Sequence, residues 1–181
     1  MRVEPKAQGP RRALWITVVC LFVSSYAQPF ARSSDDSQTR ANGLAQREPT
    51  VLFICPHGAA KSVLGSAYFQ REAKERGLNV RVEAAGLDPQ DAVSPVVADH
   101  LRKNGYAVPV TKPRAVTKAD LKEADVVISM GCDLDRLPAA PRNLQKWDDV
   151  PGPSEDLKGA DEVIRQRVIA LVEELLARQR K

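Results

Sequence analysis

Val51-Leu-Phe-Ile-Cys55-Pro-His-Gly-Ala-Ala-Lys61-Ser62 is the stretch on which the reading of this chain turns. Residues 51–54 form a continuous apolar run of strand length, the pattern of a strand buried on both faces. Cys55 stands at its carboxyl end. Pro56, His57, Gly58, Ala59 and Ala60 follow, mostly small residues that let a backbone curl until its N–H groups converge on an oxyanion. Lys61 and Ser62 then open a helix, whose first turn adds partial positive charge. This is a cradle for a tetrahedral oxyanion. The same field favours a cysteine thiolate, the form of the side chain that attacks. A nucleotide-binding loop, which the Lys61-Ser62 pair also suggests, needs glycine immediately before the lysine, where this chain has Ala60.

Outward from this stretch, strand and helix patterns alternate. The helix from about Ser62 sets Leu64, Ala67 and Tyr68 on one face, and Gly77 ends it. Residues 80–84 read as a second strand, closed by Gly86 and Pro89, and a helix runs from Pro95, a favoured first-turn position, to Gly105. Thr117 caps a short helix through Leu121, and residues 124–129 are a third buried strand. Ile164, Val168, Leu171, Val172 and Leu175 then fall at helical spacing. The fold class is α/β, in three layers: a parallel sheet with helices on both faces, whose ligands bind outside the carboxyl ends of the strands.

The first 49 residues do not share this pattern. Arg2, Lys6, Arg11 and Arg12 form a basic start, residues 13–23 are apolar, and Ser25-Tyr-Ala27 puts small residues where an export peptidase reads. Residues 1–27 are expected to be a secretory signal, giving a periplasmic or secreted protein that meets the membrane only during export. The apolar run is shorter than the roughly 20 residues that span a bilayer, so an uncleaved anchor is the weaker reading. Residues 28–49, polar and aperiodic, are expected to be a disordered leader. Removing residues 1–27 lowers the formal charge from +4 to +1. A nucleic-acid partner then has no basic stripe to bind. No cofactor is called for. No metal site is expected either, because His57 and His100 are the only histidines and neither has partners at ligand spacing.

From residue 50 to 178 the chain resembles the low-molecular-weight protein tyrosine phosphatases and the arsenate reductases related to them. The landmarks are the strand ending at Cys55, Lys61-Ser62, Ala84-Ala-Gly86 with Pro89, Lys112-Pro-Arg114-Ala-Val-Thr117, the run from Ala124 to Met130-Gly-Cys132, and Trp147-Asp148 leading to Gly152-Pro153. The resemblance implies four parallel strands in a phosphotyrosine protein phosphatase I-like fold. It implies Cys55, Lys61 and Ser62 as catalytic residues, with Ser62 hydrogen-bonded to the thiolate. Pro56, His57, Gly58, Ala59, Ala60 and Lys61 would bind the oxyanion, and Cys132 falls on a redox cysteine of the reductases. The implied partners are a phosphate- or arsenate-type substrate and a thiol reductant.

Three positions depart from the family pattern C-x-x-N-x-x-R-S and its late Asp-Pro pair. Gly58 replaces the asparagine, Lys61 the arginine, and Gly152 the aspartate that acts as general acid. Lysine offers a point charge where arginine offers a planar fork. Loss of the acid costs roughly 10²- to 10⁴-fold on poor leaving groups. Asp148 and Asp149 are the candidate substitute acids, and His57, lying inside the loop, can assist. The third cysteine of the reductase relay is absent from 133–137. The reading is an exported thiol enzyme acting on a tetrahedral oxyanion, as phosphatase or arsenate reductase. The alternatives are an impaired oxyanion-binding module and a redox protein using Cys55 and Cys132.

Overall fold

The structure, a computed structural model, describes residues 47–180. The expected signal (1–27) and all but the last three residues of the expected leader lie outside the described residues. Those last three belong to the domain edge: Arg47 pairs with Asp125 at 2.6 Å and donates to the Glu123 carbonyl at 2.7 Å, while the Pro49 carbonyl accepts from Arg81 N at 2.8 Å. Arg47 and Pro49 are therefore tied to the domain.

Strands β1 (Thr50–Cys55), β2 (Arg81–Gly86), β3 (Val126–Ser129) and β4 (Leu144–Lys146) form one parallel sheet in the order β2-β1-β3-β4. Helices α1 (Lys61–Glu75), α2 (Pro95–Lys103), α3 (Lys118–Glu123) and α4 (Leu157–Gln179) cover it. The expected fourth strand is present, and helices lie on both faces. Element ends shift by one or two residues from the sequence pattern, as at β2, which starts at Arg81 and runs on to Gly86. The second helix stops at Lys103, before Gly105, whose φ of +70° suits the turn that follows.

The pleat of β1 builds both cores. Val51, Phe53 and Cys55 point into the larger one with Val63, Leu64 and Phe69 of α1, Val97 and Leu101 of α2, and Ile164, Val168 and Leu171 of α4. Leu52 and Ile54 point to the other, with Leu121 of α3, Val116 and Val127. Because β1 is central and buried along its whole length, its continuous apolar run follows directly from its place.

Phe53 is fully buried, with its ring 5.7 Å from that of Phe69 and 6.0 Å from that of Trp147. Helix α1 crosses this ring at Gly65, where a Cβ would lie 2.7 Å from Phe53 Cδ1. Gly65→Ala should gain up to about 1 kcal/mol of helix propensity and lose more to overpacking against a ring that has nowhere to go, about 1–3 kcal/mol. A urea titration is expected to show net destabilisation. A stabilised Gly65→Ala would mean that the contact between α1 and β1 yields easily.

Candidate active site

Cys55 ends β1 directly opposite Gly86, the last residue of β2. The carbonyls of Cys55, Pro56, His57 and Ala59 accept from the amides of Leu87 (3.4 Å), Asp88 (2.9 Å), Gln90 (3.1 Å) and Ser94 (2.9 Å). In a trans peptide the N–H points opposite to the carbonyl, so with the carbonyls committed to residues 87–94 the loop's N–H groups turn to the other side. Gly58 makes the turn possible, with φ at +62°. Its backbone lies so close to β2 that a Cβ on Gly86 would stand 2.4 Å from Gly58 N.

Helix α1 starts at Lys61 with Ala60 as its N-cap and no side chain capping it. Its first-turn amides are left for a ligand. Helix α2 is also uncapped by a side chain at Ser94, whereas Thr117 caps α3 in a capping box and Asp156 caps α4. Both uncapped starts line one cleft of about 280 Å³, together with Cys55, Pro56, His57, Ala59, Gln90, Gly152, Pro153 and Ser154. A larger hollow of about 840 Å³ near Arg71 and Tyr106 contains none of the site residues. The chemistry belongs to the smaller cleft.

Within it, the Cys55 sulfur lies 3.2 Å from Ser62 Oγ, and both residues are buried. The pair expected from sequence is thus assembled. Lys61 Nζ donates to the Val150 carbonyl at 3.3 Å and stands 3.2 Å from where a Cβ on Gly131 would be. Its ammonium therefore sits between the turn after β3 and the loop after β4. The exposed His57 places Nδ1 3.3 Å from the Asp88 carbonyl oxygen. The Asp88 carboxylate is gripped by both arms of Arg136 at 2.8 Å, which holds it below the usual carboxylate range.

Cys132 lies just past the end of β3, on the turn made by Gly131, whose φ is +79°. Cys55 and Cys132 are both free thiols. Burial pushes the Cys132 thiol up to about 11; Ser129 and Lys61 pull the other way, and Cys55 and Asp148 push with burial. The two candidate substitute acids have different partners. Asp148 accepts from Gly131 N at 3.0 Å, and Asp149 is paired with Arg167 at 2.6 Å, an ion pair that lowers its pKa. Asp149, held ionised by Arg167, is a poor proton donor near neutral pH.

The Gly152-Pro153 pair does stand on the cleft wall. The carboxylate nearest the position of the missing aspartate is Glu155, 3.6 Å from where a Cβ on Gly152 would be. Sequence reasoning did not single out Gln90, Ser94, Ser154 or Glu155. The available signal was positional, because Gln90 and Ser94 follow the carboxyl end of β2. His100 bonds Tyr68 OH at 3.1 Å and Asp161 at 3.0 Å, tying α2 to α1 and α4.

The family model for low molecular weight phosphotyrosine protein phosphatase matches residues 50–178. The chain is 31% identical over 127 residues to a Halobacterium salinarum protein named "Putative arsenate reductase", covering 67% of this chain and 89% of that one. Its fold is similar to that of the thioredoxin-dependent arsenate reductase of Corynebacterium glutamicum, at 26% identity and a TM-score of 0.63, covering 78% of this chain and 71% of that one. A protein tyrosine phosphatase of Entamoeba histolytica shares the fold at 18% identity and a TM-score of 0.65, covering 73% of this chain and 99% of the other. With a cysteine, a serine and an amide-lined loop assembled at the carboxyl end of the central strand, the chain belongs to the low molecular weight phosphotyrosine protein phosphatase family and has that family's cysteine-based phosphatase or arsenate reductase-like active site.

Proposed function

We propose that this domain is an arsenate reductase working through two thiols. The observation that carries the reading is Cys132, a second free thiol on the turn after β3, near enough to Cys55 for a charge there to oppose its ionisation. Two further features favour a small inorganic oxyanion over an aryl phosphate. The cleft wall holds no Phe, Tyr or Trp to stack on an aryl ring, since Trp147 is buried against Phe53. The position of the family's general acid is Gly152. The names of the Halobacterium and Corynebacterium relatives point the same way.

In this reading arsenate enters against the loop amides and Lys61. The Cys55 thiolate attacks arsenic, and an arsenic-bound hydroxyl leaves as water after taking up a proton from solvent. Ser62 Oγ steadies the sulfur while it carries charge. The Cys132 thiolate then attacks Cys55 Sγ; the sulfur–arsenic bond breaks, its electron pair stays on arsenic, and arsenite departs. The two thiols are left as a disulfide, and an external thiol reductant returns the two electrons. With no cysteine at 133–137, that reductant must reach the Cys55–Cys132 bond itself.

Arsenite release in the presence of a dithiol tests this directly. Cys55→Ser should fall to the uncatalysed background, and Cys132→Ser should trap arsenic on Cys55 without releasing arsenite. Alkylation of Cys132, read at its own peptide, should rise with a midpoint of about 11. In Cys55→Ser the midpoint should move down, because a negative charge that opposes ionisation has been removed. Arsenite release undiminished in Cys132→Ser would sink the two-thiol reading.

Glu155 supports a second reading, a phosphatase in which this carboxylate substitutes for the missing aspartate from the neighbouring turn. Nitrophenyl phosphate needs little protonation on departure and alkyl phosphates need much. Glu155→Gln should therefore depress alkyl phosphate turnover selectively, and Gly152→Asp should raise it by roughly 10²- to 10⁴-fold. The space around Gly152 admits the aspartate, since a Cβ there would make only ordinary van der Waals contacts. Equal effects on both substrate types would remove the case for acid catalysis by either residue.

We further propose that the domain works after export, on the strength of the basic start, apolar run and small-residue site in 1–27. Expression in a bacterial host followed by fractionation and intact-mass analysis is expected to find a chain beginning at Gln28 outside the cytoplasm. A full-length chain in the cytosol would overturn it.

A further inference from the structure

Ser129 Oγ is the one buried side-chain nitrogen or oxygen among the described residues with no hydrogen-bond partner. Ser129 is completely buried, and an unpaired hydroxyl in such a place is costly enough to need an explanation. It is the last residue of β3, in register with Ile54 of β1 and Lys146 of β4. The pleat turns it, like Val127, toward the smaller core, where Ile54 is fully buried and Leu144 half-buried. Cys132 packs against that same core. Cys132 follows three residues later, past the turn through Met130 and Gly131, and Ser129 is close enough to favour ionisation of its thiol.

We infer that Ser129 is a positioning residue for Cys132, holding its hydroxyl in reserve to donate to the Cys132 sulfur when that thiol becomes the attacking thiolate. The inference rests on the two-thiol reading above. A thiol is a weak acceptor, so before ionisation the hydroxyl gains little by aligning with it. A thiolate is a strong acceptor, and a charge-assisted bond then forms. An interaction made only as charge appears stabilises the reacting state over the resting one. Cys55 already shows the finished form of this arrangement, with Ser62 Oγ 3.2 Å from its sulfur. Each thiol of the relay would then have its own serine.

The groups facing Cys132 make the need plain. Burial, Cys55 and Asp148 all oppose its ionisation, and only Ser129 and Lys61 favour it. Lys61 also has the oxyanion to hold. Ser129 is therefore the group given over to Cys132. The step it assists is attack of the Cys132 thiolate on Cys55 Sγ, with the sulfur–arsenic electron pair leaving on arsenic as arsenite.

Ser129→Ala in the full chain separates this role from packing. Because it deletes an unpaired hydroxyl, the variant should melt at or above the temperature of the parent, and phosphate should still protect Cys55 from alkylation. Cys132 alkylation at about pH 9, resolved by peptide mass spectrometry, should slow roughly tenfold, equivalent to an upward move of about one pH unit in its midpoint. Arsenite release should slow with it. An unchanged Cys132 pH profile, whether or not the variant melts lower, overturns the inference. If the unaltered protein reduces no arsenate while the Cys132 profile still shifts in Ser129→Ala, the reductase reading falls and the service of Ser129 to the Cys132 thiolate stands.

Discussion

The near-contact of two backbones, Gly58 on the cysteine loop and Gly86 at the end of β2, is the constraint on which the site depends. A methyl group on either would drive into main-chain atoms of the other, at 2.8 Å on one side and 2.4 Å on the other. Main chain cannot step aside as a flexible side chain can. Gly86 is moreover pinned from its far side, where its amide donates to the Arg114 carbonyl at 3.0 Å and its carbonyl accepts from Val116 N at 2.8 Å. The loop is therefore pressed against a fixed strand end. From that position residues 87–94 collect its carbonyls and leave its amides turned the other way.

With the cradle supplied by backbone, the side chains around it are freed for other duties. Lys61 reaches past the thiol to the Val150 carbonyl, through space that exists because residue 131 is glycine. A forked guanidinium would bind two oxyanion oxygens from one fixed plane. An ammonium on a flexible stem can serve two neighbouring anions in turn. In the proposed reaction those are the oxyanion and then the Cys132 thiolate.

Much of this was legible in the sequence, and for identifiable reasons. The run at 51–54 has no polar residue, so its burial on both faces could be read without any partner in view. Cys55, Lys61 and Ser62 are contiguous with that strand, so their convergence is a local matter. The short strand Leu144–Lys146 carries no β-branched residue and is half-buried to exposed, so it has no pattern of its own; only family resemblance supplied it. Gln90, Ser94 and Glu155 come to the cleft through tertiary contacts that no local spacing encodes. Asp148 and Asp149 looked alike as neighbours in sequence, yet one binds the Gly131 amide and the other Arg167. The partner of a surface carboxylate is decided across the fold, here 17 and 18 residues away.

The three departures from the family pattern act in one direction. Gly58 in place of asparagine, Lys61 in place of arginine and Gly152 in place of aspartate each remove a polar group of fixed geometry found in the family pattern. What remains is a cysteine with its serine, backbone amides, the Lys61 ammonium, the Glu155 carboxylate near Gly152 and a second thiol. Without the aspartate at 152, expelling an alkoxide, which needs a proton delivered at one place, falls to Glu155 alone. The proposed reductase reaction makes no such demand, since the substrate's own hydroxyl leaves as water and sulfur completes the reduction. In the proposed reductase reading, the thiol on the turn after β3 and the buried hydroxyl beside it have a use that ester hydrolysis would not give them.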